Sequence, residues 1–514
     1  MSKLDFVKKL YNGKNCYSDH MDKDEIDLLH IPSGVEALVS SLLNKHKLVF
    51  LTGNPGDGKT FIIKAIQSSV NQNDAYVETD FNKVTEYEKV AQKIITQYNE
   101  KRATVIAINE YPFFVLCKEI KQLNPEIYNE IMQAKRTAIT YDISEPIKRI
   151  AVIDLNERNL LAKDNNLIAD LLTRMVDMLT SEPGQSSILK HNLCALQYPE
   201  IKSQVISLFE LASSECEHFA VRDILGAFSF MLTACIMDEH EGTYYYSAIF
   251  DGANDLLRSV QKYDPVFLSS PSLDEELWNG SITSGWLLDA PQKWPSDDSF
   301  ENDVEAAIEC FKEIKRKYYF ENLDGQGLLK LQPEEIQKSV EIFTSFASHK
   351  KKIKERIIRS INKLFLPNSD DKKQLHIWTT HRYDLSQEAS VAISSKAIDS
   401  NNLDIKMPRP ADWLQDLEYM PNHVVLKPKN GETPTLTLDI DFLRTLDAVE
   451  NGYPVGLLAP QYEQAAAMFL QQLENYGYAE ENDDGEILLA SRINSTKKTV
   501  LIQDGKYDFE EGEE

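Results

Sequence analysis

The sequence predicts an α/β fold in which a parallel sheet with a helical lid is followed by a helical region and a smaller α+β C-terminal domain. Three observations lead to this prediction. A glycine-rich stretch at residues 53–60 lies between an apolar, β-forming run and a segment with helical spacing. Further β-forming runs alternate with helical stretches up to residue 154, as in parallel α/β sheets. Beyond about residue 160 the apolar periodicity is predominantly helical.

The individual elements follow from the same patterns. Apolar runs predict the strands of the first sheet at residues 47–51, 75–79, 104–108 and 149–154. Helical spacing predicts helices at residues 61–66, 86–98, 120–134, 167–179, 201–212, 221–237 and 304–317. Nearer the C-terminus we predict strands at 375–378, 423–426 and 435–439 and helices at 440–449 and 462–476.

Changes of pattern divide the chain into segments. They are an N-terminal helical segment (1–46), an α/β core (47–180), a helical lid (181–260), a helical middle region (261–374), an α+β C-terminal domain (375–503) and an acidic tail (504–514). We predict that the tail is a mobile, solvated end, with an interaction tail as the alternative.

Composition excludes several classes of protein. With 514 residues, of which 42% are hydrophobic and 26% charged, the chain is long enough for roughly two to four folded domains. Its formal net charge of −26 disfavours broad contact with nucleic acid by the chain alone, because such binding needs Lys and Arg at the phosphates. The cysteines are widely scattered and form no C-x2-C pair, so they suggest neither a zinc site nor a disulfide framework.

Neither a membrane span nor a secretory signal is predicted. No apolar run approaches the roughly 20 residues that cross a bilayer. The N-terminal sequence also lacks an apolar stretch followed by a small-residue cleavage site. We therefore expect a cytoplasmic protein without a membrane partner.

The glycine-rich stretch has the phosphate-binding P-loop pattern G-x-x-x-x-G-K-[ST]. It consists of Gly53, Asn54, Pro55, Gly56, Asp57, Gly58, Lys59 and Thr60. Its glycines permit backbone conformations that turn consecutive N–H groups toward phosphate oxygens. Lys59 is expected to add a positive charge at the β and γ phosphates, and Thr60 to bind Mg²⁺ through its hydroxyl. The pattern therefore predicts the core of a P-loop ATPase, with ATP and Mg²⁺ as ligands.

A second polar site must lie at the tip of a neighbouring strand. Residues 104–108 form an apolar strand that is followed by Asn109 and Glu110. We predict that Glu110 orients and activates the attacking water. Asn109 occupies the position that helps to bind Mg²⁺, where an aspartate is common. Because its amide is uncharged, we predict weaker metal binding or slower turnover. Asp154, at the end of a later strand, is the rival assignment.

A sensor and arginine residues complete the predicted site. Asn156, just past the later strand, is expected to sense the γ-phosphate, with turn capping as the alternative. Arg222 begins a helix of the predicted lid and is expected to report the γ-phosphate to that lid, unless it forms only a surface ion pair. Arg158 and Arg174 are further candidates, which could act across a subunit interface.

The order of these motifs along the chain resembles the AAA+ class of P-loop ATPases. A narrower resemblance lies in KRKYYFE at 315–321, HRYD at 381–384, MPRP at 407–410, TLDIDFL at 437–443 and NGYP at 451–454. Together these motifs resemble the DptF (DndF) ATPases of DNA phosphorothioation-dependent restriction. The resemblance implies an ATPase subunit of a bacterial defence complex, which acts with partner proteins on foreign DNA lacking phosphorothioate marks.

One basic segment bears on DNA contact. Residues 349–363 carry cations on one side of a predicted helix and the isoleucines Ile353, Ile357, Ile358 and Ile361 on the other. We expect DNA contact through partners or through this helix, with a solvated helix packed on its apolar face as the alternative. The predicted function is an ATP-hydrolysing switch or motor subunit, and self-association into a homo-oligomer stays open. A nucleotide-gated scaffold with little hydrolysis and a DNA-translocating helicase are the alternatives.

Overall fold

The computed structural model describes residues 2–12, 21–79, 81, 86–142, 146–161, 167–182, 185–213, 218–234, 242–326, 334–382, 390–482, 485–491, 496–503 and 506–511. Contacts divide the chain into two compact units, Met1–Leu331 with Pro410–Met420 and Gln332–Arg409 with Pro421–Glu514. The second unit therefore begins inside the segment predicted as the helical middle region, and a short later segment belongs to the first unit.

The first unit contains an α/β part and a helical part. Its helices are α1 (Lys3–Asn12), α2 (Lys23–Leu29), α3 (Gly34–Asn44), α4 (Lys59–Ala65), α5 (Gln67–Gln72), α6 (Tyr87–Asn99), α7 (Glu110–Leu123), α8 (Pro125–Ala138), α9 (Leu167–Thr180), α10 (Ser187–Ala195), α11 (Pro199–Ser213), α12 (Val221–Thr233), α13 (Tyr245–Asp251), α14 (Asp255–Gln261), α15 (Pro271–Trp278), α16 (Val304–Glu321) and α17 (Leu323–Gln326). Its strands are β1 (Leu48–Thr52), β2 (Tyr76–Glu78), β3 (Thr104–Ala107), β4 (Ile139–Thr140) and β5 (Ile150–Asp154). The predicted strands of the first sheet are confirmed to within one residue at each end.

The sheet of the first unit is parallel and has the order β2-β3-β1-β5. Val49 and Leu51 of β1 belong to the core that also holds α3, α4 and α5. Leu48 and Phe50 belong to the opposite core, with α6, α7 and α8. Burial on both faces explains why β1 reads as a continuous apolar run. The central position of β1 brings the ends of β3 and β5 next to the loop that follows it.

One predicted helix is wrong. Helical spacing predicts a single helix over residues 120–134, whereas the structure has α7 ending at Leu123 and α8 beginning at Pro125. Asn124 separates them, and its side chain accepts hydrogen bonds from the first backbone N–H groups of α8. The proline at the first helical position lacks the N–H that would continue α7. The apolar periodicity runs through this break and therefore conceals it.

The helical part of the first unit has one core of its own. Helices α9 to α14 pack with α1 and α16 around fully buried side chains such as Leu172, Phe209, Phe228 and Tyr245. The predicted lid corresponds to this group, which begins earlier in the chain than residue 181. The predicted helix over 221–237 is observed up to Thr233, and residues 235–237 lie outside the described residues.

The second unit is α+β. Its helices are α18 (Glu334–Phe365), α19 (Ile440–Glu450) and α20 (Pro460–Asn475). Its strands are β6 (Gln374–His376), β7 (Thr379–Arg382), β8 (Ser390–Ser394), β9 (Lys396–Asp399), β10 (Leu403–Lys406), β11 (Arg409–Pro410, which ends in the first unit), β12 (His423–Pro428), β13 (Leu436–Asp439), β14 (Glu480–Glu481), β15 (Ile487–Ser491), β16 (Thr496–Gln503) and β17 (Lys506–Glu511). The sheet with the most strands has five, in the order β17-β16-β15-β8-β7, and all neighbouring strands are antiparallel. The unit begins before the first β-forming run of the C-terminal region, because α18 packs against α19, which is far along the chain.

The predicted acidic tail is also corrected. Its composition predicts a mobile end over residues 504–514, but β17 pairs with β16 from Lys506 to Glu511. The register places Phe509 opposite Val500 and Glu511 opposite Lys498. Backbone hydrogen bonding along this ladder therefore orders the segment as an edge strand, despite its acidic composition. Residues 504–505 and 512–514 lie outside the described residues.

The basic segment at residues 349–363 is part of α18. Its isoleucines are buried. On the polar side, Arg356 pairs with Asp447, Arg359 with Glu450, and Lys350 with Asp404, all within the second unit. These pairs fit the packed-helix interpretation, because a cation that is already neutralised attracts phosphate less. Direct DNA contact stays a prediction. In the described part of the chain, no helix combines the length and apolar character that crossing a membrane requires.

Candidate functional site

The glycine loop connects the end of β1 to the start of α4. Gly53, Gly56 and Gly58 have φ angles of 141°, 104° and 84°, which lie in the region that favours glycine. At Gly56 an added Cβ atom would lie only 3.3 Å from the Cβ atoms of Ala220 and Arg222, at the start of α12. The loop is therefore a tight turn in close contact with the lid, and its glycines have the conformations that the motif predicts.

Lys59 and Thr60 are the first two residues of α4. Lys59 is 8% exposed, and its Nζ donates to the carbonyl oxygens of Gly53 at 3.0 Å and Asn54 at 2.6 Å. Burial lowers the pKa of Lys59, against the opposing effect of nearby carboxylates. An ammonium group held by neutral carbonyls can exchange them for phosphate oxygens, which bind it more strongly.

Asp57 places a buried carboxylate within the loop. Its side chain is 1% exposed. One oxygen, Oδ2, accepts the Asn54 N–H at 2.5 Å, and the other, Oδ1, lies 2.9 Å from Nε2 of His218. His218 precedes α12 and therefore belongs to the lid. Sequence patterns do not reveal this pair, because residue 57 occupies a position that the P-loop motif leaves unspecified.

Asn109 and Glu110 lie at the end of β3, beside the loop. Glu110 is the first residue of α7 and its side chain is 42% exposed, while Asn109 precedes the helix. Glu110 Oε1 lies 3.1 Å from Nζ of Lys135, and Oε2 lies 3.4 Å from Nδ2 of Asn156. The structure thus brings together the residues predicted to activate water and to sense phosphate, while their roles stay predictions.

Asp154 and Asn156 lie at the end of β5, on the other side of β1. Asp154 Oδ1 accepts the backbone N–H of Asn156 at 3.2 Å, so Asp154 is the residue that caps this turn. The Asn156 side chain instead accepts the Asn54 N–H at 3.0 Å and contacts Glu110. Asn156 therefore connects the glycine loop to Glu110, and its role as a γ-phosphate sensor stays a prediction.

Lys135 joins the two strand ends and was not predicted from the sequence. Its Nζ lies 3.1 Å from Glu110 Oε1 and 3.0 Å from Asp154 Oδ2. Burial alone would lower the pKa of Lys135, but Asp154 and Glu110 together raise it. Lys135 directly follows the helix predicted over residues 120–134. In the structure α8 continues to Ala138 and packs next to β5. This packing brings Lys135 to the ends of β3 and β5, which local sequence patterns could not predict.

Arg222 lies against the glycine loop from the lid. It is the second residue of α12, its backbone N–H donates to the Gly56 carbonyl at 3.2 Å, and it lines the cavity beside the loop. An added Cβ at Gly56 would lie 3.3 Å from Arg222 Nε. The Arg222 guanidinium is therefore next to the predicted phosphate site, and its role as a lid sensor stays a prediction.

Arg158 and Arg174 are both engaged within the first unit. The Arg158 side chain is 5% exposed, and its Nε pairs with Glu418 at 2.8 Å. Arg174 donates to the backbone carbonyl of His30. Action of either residue across a subunit interface stays a prediction, and it requires these contacts to break.

The loop lines a cavity that contains both polar and apolar groups. Loop residues, Thr60, Asn109 and Arg222 are among its polar lining. The apolar lining includes Met21, Leu29, Ile31, Phe61, Leu171 and Leu225. Ligand pockets typically combine such an apolar lining with a few polar groups that orient the ligand. The cavity therefore fits a nucleotide with its phosphates at the loop.

The predicted Mg²⁺ ligands, Thr60 and Asn109, both line this cavity. Within the described ranges, no group of three or more His, Cys, Asp or Glu side chains could hold a metal ion. Mg²⁺ in phosphate sites keeps several waters and takes phosphate oxygens as ligands. One hydroxyl and one amide oxygen therefore fit this ion when nucleotide is bound.

Comparison with known proteins supports the class of the site. Residues 33–129 match the family model of a P-loop containing dynein motor region. The matched stretch includes β1, the glycine loop, and Glu110 at the start of α7. Together with the parallel sheet, this match supports a P-loop ATPase of AAA+ type. No curated protein and no solved structure matches the chain, so the narrower DptF (DndF) resemblance stays a prediction.

The first prediction concerns the bridge formed by Lys135. Lys135→Met removes the cation and leaves Asp154, whose side chain is 15% exposed, without this cation. We expect the free energy of unfolding in urea to fall by roughly 1–3 kcal/mol. Lys118→Met, at an exposed position of α7, is the matched control and should change stability by less than about 0.5 kcal/mol. Equal effects of the two substitutions would show that the bridge does not stabilise the site.

Proposed function

We propose that the chain binds Mg²⁺-ATP and hydrolyses it, as a switch or motor subunit whose lid responds to the nucleotide. The observation that carries this proposal is the convergence of four groups on one site: Lys59 from the loop, Glu110 after β3, Asn156 after β5 and Arg222 from the lid. Phosphoryl transfer requires phosphate binding, an oriented water and stabilisation of the developing charge. These residue types supply all three.

Phosphate binding is assigned to the loop and Lys59. The glycine conformations allow successive backbone N–H groups to point into the same concave site. Such a concavity binds anions such as phosphate. Lys59 exchanges two neutral carbonyl acceptors for charged phosphate oxygens, and charge-assisted hydrogen bonds are about twice as strong as neutral ones. The exchange therefore favours the bound state and rearranges the contacts inside the loop.

Water activation is assigned to Glu110. Its two oxygens contact different partners, Lys135 at Oε1 and Asn156 at Oε2, and these contacts fix the orientation of the carboxylate. A general base needs a free oxygen within hydrogen-bond distance of the proton it accepts. Proton transfer therefore uses the Oε2 side, where the contact is the longer one, or follows release of Lys135.

Mg²⁺, when bound with the nucleotide, neutralises charge on the β and γ phosphates. Thr60 offers it a hydroxyl oxygen and Asn109 an amide oxygen. Because Asn109 carries no charge, the chain itself contributes little electrostatic attraction for the metal, and we expect weak Mg²⁺ binding in the absence of ATP.

A nucleotide-gated scaffold that scarcely hydrolyses ATP is the second candidate function. The uncharged Asn109 and the Lys135 contact that holds Glu110 favour it. Such a protein would bind ATP tightly, close its lid and assemble partners. The decisive difference from the leading proposal is phosphate release, which the scaffold would lack even with partners and DNA present.

We further propose that this ATPase serves a bacterial defence complex that acts on foreign DNA. The resemblance of the downstream motifs to the DptF (DndF) family supports this proposal. The net charge of −26 and the ion pairs of Arg356 and Arg359 favour DNA contact through partner subunits over contact by the chain alone. A DNA-translocating helicase that works by itself is correspondingly disfavoured.

The second prediction tests the role of Glu110. Glu110→Gln keeps the shape of the side chain but cannot accept a proton. We expect ATP binding in calorimetry to persist and phosphate release to fall by at least roughly 10²-fold. Glu126→Gln is the matched control, because Glu126 also lies in the first turn of its helix and is exposed, and it should leave both readouts unchanged. Full turnover by Glu110→Gln would move the catalytic role elsewhere, with Asp154 the next residue to test.

The third prediction tests the defence complex. The chain is purified alone and together with the products of its neighbouring genes, and phosphate release is measured with and without DNA lacking phosphorothioate marks. We expect DNA to stimulate turnover only when a partner is present. Stimulation of the isolated chain that weakens as salt is added would favour the helicase alternative. Neighbouring genes without any role in DNA modification or restriction would contradict the proposed complex.

A further inference from the structure

Asp57 is an unusual residue for a loop that binds phosphate. Its buried carboxylate turns back under the loop, so that an added Cβ at Gly53 would lie 2.5 Å from Asp57 Oδ2. A negative charge at this place repels the phosphates of a nucleotide, and low exposure of 1% leaves little water to screen it. Lys59 supplies one positive charge near Asp57, but its Nζ is held by the Gly53 and Asn54 carbonyls, so a second cation in direct contact with the carboxylate would compensate the charge further.

His218 is positioned to be that cation. Its Nε2 lies 2.9 Å from Asp57 Oδ1, and its Nδ1 lies 3.3 Å from the backbone carbonyl oxygen of Arg158. A carboxylate and a carbonyl oxygen only accept hydrogen bonds, so both ring nitrogens must donate. An imidazole that donates from both nitrogens is the protonated, positively charged form. The contacts of His218 therefore select imidazolium.

We propose that His218 is a nucleotide-site residue carried by the lid, which neutralises Asp57 and thereby sets the affinity of the glycine loop for ATP. This inference rests on the proposed ATP binding. It makes His218 a positioning residue, since it acts on phosphate through Asp57 and the Asn54 N–H that Asp57 holds. Docking of the lid and binding of nucleotide then depend on each other.

The charged surroundings of His218 come from the loop and from the segment that follows β5. Asp57 contacts it directly, and Asp154 and Glu157 add negative charge nearby. Lys59 and Asp223 both interact electrostatically with Asp57. The Arg158 guanidinium is paired with Glu418. Burial alone would lower the pKa of His218, but Asp57, the Arg158 carbonyl and Asp154 outweigh it and raise the pKa above its ordinary value.

The direction of the pH effect follows from this raised pKa. The ion pair stabilises the docked lid fully at pH values below the ordinary histidine pKa, and the stabilisation is lost as pH rises through the raised pKa of folded His218. Above it, neutral His218 no longer compensates the Asp57 charge, and Lys59 is the cation that still attracts Asp57 beside the phosphates. Affinity for ATP should therefore fall with rising pH.

The experiment measures the Kd for Mg²⁺-ATP by calorimetry between about pH 6 and pH 8.5, on the full chain. His218→Gln should weaken binding at the acidic end roughly tenfold, the size of effect typical of losing one partly buried ion pair. Asp57→Asn keeps an acceptor for the Asn54 N–H but removes the charge. We expect its pH profile to be flatter than that of the unaltered chain, and His218→Gln to have little further effect on this background.

Controls make the outcomes distinct. His349→Gln, at an exposed position of α18, should leave Kd and its pH profile unchanged. Titration of the nucleotide itself is common to all variants, so differences between the pH profiles of Kd come from titration of the protein.

An equal loss of affinity from His218→Gln in the unaltered chain and in the Asp57→Asn background, or an unchanged pH profile of Kd in Asp57→Asn, would contradict the inference. If His218→Gln does not fold, the pH profile of Kd in Asp57→Asn alone tests the inference. An unaltered chain that binds no ATP at any pH would contradict the proposed function as well.

Discussion

The parallel pairing of β1 with β3 on one side and β5 on the other is the constraint on which the candidate site depends. The register sets Leu51 beside both Ala107 and Ile153, so the ends of the three strands lie at one edge of the sheet. Polar groups after β3 and β5 must then flank the loop that follows β1, as is usual for ligand sites of parallel sheets. Burial of β1 on both faces fixes this register, because a shift of one residue would exchange the side chains that face the two helical layers.

Charged groups beside the loop all have polar partners, and several of them are buried. Lys135 contacts Asp154 and Glu110, His218 contacts Asp57, and Lys59 is held by backbone carbonyls. Breaking such a pair without replacement is costly, because a buried charge loses its hydration. We therefore propose that nucleotide binding proceeds by exchange of partners at Lys59. Since His218 lies just before α12 and Arg222 in its first turn, this exchange would connect the loop to the lid.

The loop and the strands of the first sheet could be predicted from the sequence, because two-sided burial leaves continuous β-forming runs and the turn after β1 needs glycine at fixed positions. The charge pairs could not be predicted. Lys135 and Asp154 are 19 residues apart and His218 and Asp57 are 161 apart, so their contacts depend on how the helices pack. Local patterns failed where they are ambiguous. Apolar periodicity continues across the break between α7 and α8, and acidic composition concealed β17, which forms a backbone ladder with β16.

The most direct test of the account is an experimental structure of the full chain with Mg²⁺ and a non-hydrolysable ATP analogue. We predict that the analogue's phosphates lie at the glycine loop, that Lys59 Nζ leaves the Gly53 and Asn54 carbonyls for phosphate oxygens, and that Glu110 and Asn156 face the terminal phosphate. An analogue bound at another place, with the contacts of Lys59 unchanged, would contradict it.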